Sequence, residues 1–163
     1  MRFVVLFVLS VFFFILDISL IPIIATNGVY TSLANIYFLM CCMNIEKHEV
    51  VYFSLIIGFF QDIFFTNGFG FNIFLNISLG ILFYYVAMKC NKNKYFLSVS
   101  IISIFSALRS LITSIFLSIF LGIGINWLYL IYELIHIFIF SAFIYLLLNK
   151  MFKGKLFRKS LEF

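Results

Sequence analysis

Residues 127–149 read WLYLIYELIHIFIFSAFIYLLLN. This stretch is one run of mostly apolar residues, and a helix needs roughly 20 such residues to cross the hydrocarbon of a bilayer. Apart from Glu133 and His136, the run carries no acidic, basic or imidazole side chain. We therefore predict that it forms a transmembrane helix.

The rest of the chain has the same apolar character. Of its 163 residues, 65% are hydrophobic and only 10% are charged, whereas a soluble domain has roughly 45–50% apolar and about 25% charged residues. No polar stretch is long enough to fold as a separate domain. We predict an all-α integral membrane protein, a single domain built as a bundle of about six transmembrane helices. The predicted spans are approximately 3–21, 29–45, 49–66, 70–88, 95–121 and 127–149.

Two local alternatives remain open in this arrangement. The second and third predicted spans are short, so a tight helical hairpin or a re-entrant pair would also fit there. The first span begins directly after Arg2, and a basic residue followed by an apolar run also occurs in secretory signal peptides. We favour an uncleaved span, because Ile24, Ala25 and Thr26 make a poor cleavage site.

The basic residues indicate the orientation of the bundle. Those in loops and termini all fall on one side of the six-span arrangement, and the other side has none. They are Arg2, Lys47, Lys89, Lys92, Lys94 and the five in the basic tail, residues 150–163. Because cytoplasmic loops carry an excess of Lys and Arg, both termini are predicted to be cytoplasmic. The tail is interpreted as an anchor to lipid headgroups, and the net charge of +5 as topology rather than nucleic-acid binding.

The cysteines are predicted to be free thiols. Cys41 and Cys42 fall near the cytoplasmic end of the second span and Cys90 falls in a cytoplasmic loop. Reducing conditions there disfavour a disulfide.

Five ionisable side chains are predicted to lie within the spans. They are Asp17, Asp62, Arg109, Glu133 and His136. A charged residue at the centre of a transmembrane helix costs roughly 2.5–3.5 kcal/mol, so these groups are expected to face protein or water. Arg109 is expected to pair with Glu133, with Asp62 as the second choice. The pairing is interpreted chiefly as a structural lock between helices, and a relay or binding role is the alternative.

Small and polar residues are predicted to form the inner faces of three helices. Their spacing, i, i+3 and i+4, places them on one side of each helix. The third span contributes Gly58, Gln61 and Asp62, the fourth Asn72, Asn76 and Gly80, and the fifth Ser103, Ser106, Arg109, Ser110, Thr113 and Ser114. Small and hydroxyl residues allow close helix approach, so helix packing is favoured over a substrate path.

The sequence offers no recognisable catalytic or metal-binding set. Glu133 and His136 have the spacing used in di-iron bundles, but those need a second such pair and further glutamates. No Ser/His/Asp or Cys/His set can be assembled, and no phosphate-binding glycine loop with a lysine is present. We therefore expect no enzymatic activity, no metal and no cofactor.

One segment resembles a known family. Residues 58–72 read GFFQDIFFTNGFGFN and run on to Gly80. This is similar to the signature of the bacterial rod shape-determining protein MreD family, in which a helix ending in G-x-x-x-D leads through a glycine-bearing turn into the next span. Gly58 and Asp62 match the helix end, Gly68 and Gly70 the turn, and Gly80 a later glycine. Asn72 departs from the pattern, which has His or an apolar residue there, and many expected Leu residues are Phe.

The resemblance implies a non-enzymatic membrane scaffold of the elongasome, the machinery that builds lateral peptidoglycan in cell wall biogenesis and sets cell shape. It implies a multi-pass protein of the bacterial cytoplasmic membrane that binds MreC. Through MreC it would reach MreB filaments, the glycosyltransferase RodA and its partner transpeptidase. The turn at Asp62 is expected to shape an outward-facing groove for the membrane helix of a partner.

Two other functions are weighed against this one. The first is a substrate-capture component of an energy-coupling-factor transporter, since such components also have about six short spans and compact loops. Such subunits carry an A-x-x-x-A pattern in the first span, whereas the first span here has no alanine. The second is an intramembrane enzyme using Asp62, Glu133 and His136, for which no recognisable catalytic arrangement exists.

Overall fold

The computed structural model describes residues 2–19, 21–24, 31–64, 70–90, 94–122, 124 and 126–152. Within these residues the regular secondary structure is entirely helical. The segments are α1 (Arg2–Ser19), α2 (Ile21–Ile24), α3 (Leu33–Cys42), α4 (Lys47–Phe64), α5 (Phe71–Lys89), α6 (Tyr95–Leu121) and α7 (Trp127–Phe152).

Three of these helices are long and apolar enough to cross a membrane, namely α5, α6 and α7. They contain 19, 27 and 26 residues, and each residue adds about 1.5 Å to the length of a helix. The prediction of an all-helical protein with membrane-length helices is therefore confirmed.

The segment predicted as the second span, residues 29–45, contains a much shorter helix. The hydroxyl of Ser32 accepts a hydrogen bond from the backbone N–H of Asn35 at 3.1 Å and so caps the start of α3. The helix ends at Cys42. Its 10 residues correspond to about 15 Å, half the thickness of the hydrocarbon layer. All of its residues are buried, and it contacts α1, α4, α5, α6 and α7. Helix α3 is thus the centre of the bundle.

Aromatic side chains pack around α3. The ring of Tyr37 stacks on Phe13 of α1 with centroids 4.8 Å apart, and its hydroxyl donates to the Leu6 carbonyl oxygen at 3.0 Å. Phe38, on the same helix, stacks on Phe53 of α4. Because aromatic pairs add stability beyond the area that they bury, these contacts fix α1 and α4 against the central helix.

The outer surface of the bundle is apolar and its interior contains the polar groups. Large hydrophobic side chains such as Phe74, Ile119 and Leu146 are 72%, 70% and 60% exposed, whereas Asn76 and Ser141 are 1% and 0% exposed. The interior is also rich in apolar side chains, so the difference from a soluble protein lies in the outer surface, where a soluble protein has many polar and charged residues. This distribution fits a chain whose solvent is hydrocarbon.

Two glycines allow α4 and α5 to pack closely. A Cβ atom at Gly58 of α4 would lie 2.5 Å from the Cα of Ile73 on α5. A Cβ atom at Gly80 of α5 would lie 2.9 Å from Cζ of Phe38 and 3.0 Å from Oγ of Ser54. At both positions the neighbouring helix lies so close that a side chain would not fit, and glycine makes this close contact possible.

Candidate functional site, a buried polar core

The carboxylate of Asp62 caps the N-terminus of α5. It accepts hydrogen bonds from the backbone N–H of Gly70 at 2.9 Å, of Asn72 at 2.9 Å and of Ile73 at 3.4 Å. The first backbone N–H groups of a helix have no acceptor within the helix. The Asp62 carboxylate, at the end of α4, is the acceptor for these groups of α5. Gly70 precedes the helix with φ of 94°, a left-handed conformation that glycine adopts readily.

The carboxylate of Asp17 caps α3 in the same way. It accepts from the backbone N–H of Leu33 at 2.6 Å and of Ala34 at 3.1 Å, and from the hydroxyl of Ser32 at 2.8 Å. Each of two helical hairpins, α1–α3 and α4–α5, thus ends its first helix with an aspartate that binds the start of its second.

The guanidinium of Arg109 lies between the two hairpins. It is 9% exposed, and its Nη2 donates to Oε1 of Gln61 at 2.8 Å and to Oδ1 of Asn72 at 2.9 Å. The predicted direct pairing with Glu133 is wrong, because the described contacts of Arg109 lead to the α4–α5 hairpin and not to α7. The same Gln61 oxygen accepts from Nδ2 of Asn76 at 2.8 Å, so α4, α5 and α6 share one network.

The charges of this polar core balance without a direct ion pair. Arg109 is within electrostatic range of both Asp17 and Asp62. Each helix N-terminus contributes roughly half a positive charge, and the two aspartates lie on two such termini. With both carboxylates ionised, two negative charges therefore oppose one guanidinium and two helix ends. The net charge is close to zero, which is the condition for burying charged groups in hydrocarbon.

Hydroxyls in the first half of the polar stripe of α6 bind neighbouring helices. Nδ2 of Asn35 on α3 donates to Oγ of Ser106 at 3.3 Å, one turn before Arg109. The hydroxyls of Ser103 and Ser141 lie 2.7 Å apart and join α6 to α7. Four residues of the stripe thus bind other helices, namely Ser103, Ser106, Arg109 and Ser110. The hydroxyl of Thr113 instead donates to the Arg109 carbonyl oxygen of its own helix.

Glu133 and His136 lie apart from this core. The carboxylate of Glu133 accepts a hydrogen bond from the hydroxyl of Ser110 across the α6–α7 contact. The ring of His136 is half-buried and meets the ring of Phe140 edge to face at 6.4 Å. In the described part of the chain, no three residues among His, Cys, Asp and Glu are grouped to hold a metal ion.

The glycines among the predicted site residues lie at helix contacts and at a helix start, where the structure describes them. Gly58 lies in the α4–α5 contact, Gly80 of α5 faces Phe38 of α3 and Ser54 of α4, and Gly70 directly precedes α5. Gly68 lies outside the described residues. The carboxylate of Asp62, 7% exposed, is turned into the hairpin by its three hydrogen bonds, so the predicted outward-facing groove at this turn is not formed by the Asp62 side chain.

The sequence interpretation missed the capping role of both aspartates and the part played by Asn35. A signal was available, because each aspartate stands near the end of an apolar run and is followed by Thr-Asn-Gly before the next run, at residues 26–28 and 66–68. A carboxylate at the end of one helix, followed by a short polar turn, can reach the unpaired N–H groups at the start of the next helix.

No protein-family model matches this chain, and no curated protein and no solved structure does so.

Proposed function

We propose that this chain is a non-enzymatic scaffold subunit of the bacterial elongation machinery, a protein of the MreD type. The observation that carries the proposal is the role of the motif residues in the α4–α5 hairpin. Gly58 and Gly80 permit its close contact, and Asp62 caps its second helix. The described residues Gly58, Asp62 and Gly80, which carry part of the resemblance, thus shape this hairpin.

The proposed topology has six spans in the bacterial cytoplasmic membrane with both termini in the cytoplasm. Exposed lysines support it, since they lie where α4 begins, α5 ends, α6 begins and α7 ends. These are Lys47, Lys89, Lys94 and Lys150. In an up-and-down bundle those helix ends fall on one side, the cytoplasmic side by the positive-inside rule.

Helix α3 can serve as the second span although it is short. Non-helical backbone is tolerated at membrane depth only where protein surrounds it. Thr31 before the helix and Met43 and Ile45 after it are 3%, 3% and 2% exposed. The flanks of α3 therefore meet this condition within the ring of longer helices.

A scaffold role suits a bundle of this kind. The polar side chains of its core are used mainly to bind its own helices, as the contacts of Asp17, Asp62 and Arg109 illustrate. The apolar exterior is then the main surface that partners can reach. The proposed direct partner is MreC, which would link the chain to MreB filaments, RodA and its transpeptidase.

Depletion in the native host together with affinity purification tests this proposal. We expect depleted cells to lose their rod shape and widen, because lateral wall synthesis would lose its scaffold. We also expect MreC to co-purify with the tagged chain from mild detergent, and a tagged unrelated multi-pass protein of similar size serves as the control. Normal cell width together with no recovery of MreC would contradict the proposal.

A further inference from the structure

Two asparagine side chains in the polar core keep unused hydrogen-bonding atoms. In the described part of the chain, Nδ2 of Asn72 and Oδ1 of Asn76 are buried and have no hydrogen-bond partner, and the third such atom, Oγ1 of Thr31, precedes α3. Asn72 and Asn76 are 3% and 1% exposed, so both lie inside the bundle. Most buried polar groups in proteins are hydrogen-bonded, because leaving one unpaired is costly. A donor and an acceptor on α5 therefore call for a partner.

The orientation of both amides is fixed by the guanidinium of Arg109. A guanidinium donates hydrogen bonds and accepts none, so Oε1 of Gln61 and Oδ1 of Asn72 must point toward Nη2. The same Gln61 oxygen accepts from Nδ2 of Asn76. Turning any one of these amides by half a rotation would bring two donors or two acceptors together. The network itself therefore leaves the Asn72 amide N–H groups and the Asn76 carbonyl oxygen unused.

The two unused atoms belong to one face of α5. Asn72 and Asn76 are four residues apart, which places their Cβ atoms about 5–6 Å from each other. Two hydrogen bonds of about 2.8–3 Å that share one oxygen span a comparable distance. One small molecule can therefore bond to both side chains at once.

The chemistry of this place selects a neutral molecule. The ligand must accept from Asn72 and donate to Asn76, which a hydroxyl group does and a simple ion does not. Arg109 is already balanced by Asp17, Asp62 and two helix ends, so an added ion would disturb the balance. The described hydrogen bonds of Arg109 use Nη2 alone, so three of its five N–H donors remain for a third bond. A buried water typically makes about three hydrogen bonds.

We propose that one ordered water molecule is bound between Asn72 and Asn76 in the polar core. Its oxygen accepts from Nδ2 of Asn72, and one of its hydrogens is donated to Oδ1 of Asn76. The water thereby satisfies both atoms and completes the network that joins α4, α5 and α6. The inference goes beyond the proposed scaffold function and does not depend on any partner.

A crystal structure of the full chain, at a resolution that shows ordered water, tests this proposal directly. We expect a single compact density peak within hydrogen-bonding distance of Nδ2 of Asn72 and Oδ1 of Asn76. The absence of a peak at this position would overturn the proposal. Density that continues into a lipid or into a second protein chain would overturn it as well.

X-ray radiolytic labelling of the purified chain in detergent gives an independent test, because hydroxyl radicals formed from a bound water oxidise the side chains beside it. Leu75 lies next to Asn76 on α5 and is 3% exposed, and the matched control, Leu148 of α7, is 7% exposed. Access from outside alone would favour Leu148. We expect Leu75 to be oxidised several times faster than Leu148, and an equal or slower rate would overturn the proposal.

The variant Asn76→Leu removes the acceptor and fills the space of the water. We expect it to lower the oxidation of Leu75 to the level of Leu148. Asn44→Leu is the control variant, because the Asn44 amide binds the Met40 carbonyl oxygen beyond the end of α3, and it should leave the Leu75 rate unchanged. Undiminished oxidation of Leu75 in a folded Asn76→Leu chain would contradict the proposal. If that variant does not fold, the comparison of Leu75 with Leu148 in the unaltered chain decides.

Discussion

Replacing Gly58 with alanine is expected to force α4 and α5 apart and to destabilise the bundle by about 1–3 kcal/mol or more, the usual range for overpacking. The new Cβ would lie 2.5 Å from Cα and 2.9 Å from N of Ile73. Both are backbone atoms of a helix, so neither can move aside as the end of a flexible side chain can. The strain would reach Asp62, whose hydrogen bonds depend on the register between the two helices.

The measurement is the temperature of half-aggregation of the purified protein in mild detergent. Gly124→Ala is the matched control, since a Cβ there would meet no atom within 4 Å. We expect a clear drop for Gly58→Ala and no change for Gly124→Ala. Equal behaviour of the two variants would show that the close contact of α4 with α5 does not hold in the protein.

The second large effect is expected from Asp62→Ala. The substitution removes the acceptor of the backbone N–H groups of Gly70, Asn72 and Ile73, and losing an N-terminal cap costs about 0.5–2 kcal/mol. It also removes one of the two carboxylates near Arg109. An uncompensated buried charge costs more, about 3–5 kcal/mol when one partner of a pair is lost. We therefore expect Asp62→Ala to exceed the cost of a lost cap alone.

A double-mutant cycle separates the two contributions. Arg109→Met removes the guanidinium, so in that background Asp62→Ala should cost only the cap, and the coupling between the two sites should be clearly different from zero. Glu46→Ala is the surface control, because Glu46 is 47% exposed and its contact with His48 lies at 3.6 Å near solvent, where ion pairs contribute little. If Asp62→Ala lowered the temperature of half-aggregation no more than Glu46→Ala does, the capping role of Asp62 would be wrong.

The long spans could be predicted from the sequence because their length and apolarity are local properties. The run over residues 127–149 predicts a helix, and α7 extends over Trp127–Phe152. The same criterion could not identify α3 as a central helix. Lipid and protein interior are both apolar, so a segment such as LANIYFLMCC has the same hydropathy whether it faces one or the other. Only the packing of five other helices around it decides the matter.

The inward position of the ionisable groups was predictable, but their partners were not. The cost of exposing Arg109 to lipid indicates that it is buried, and it is 9% exposed. Its acceptors are Gln61 of α4 and Asn72 of α5. Hydropathy does not encode how these two helices are rotated about their own axes. Opposite charge favoured Glu133 as the partner, but Arg109 is hydrogen-bonded by the neutral side chains of Gln61 and Asn72, and the carboxylates of Asp17 and Asp62 act on it without a direct ion pair.

We propose that hydrocarbon surrounds this bundle and that its lysine-bearing helix ends lie in the cytoplasm. Labelling of intact cells with a membrane-impermeant maleimide tests it most directly, using single exposed cysteines in a Cys90→Ser background. We expect Gly124→Cys, between α6 and α7, to be labelled in intact cells and Lys94→Cys, where α6 begins, only after lysis. Labelling of Lys94→Cys from outside intact cells would contradict the proposed topology.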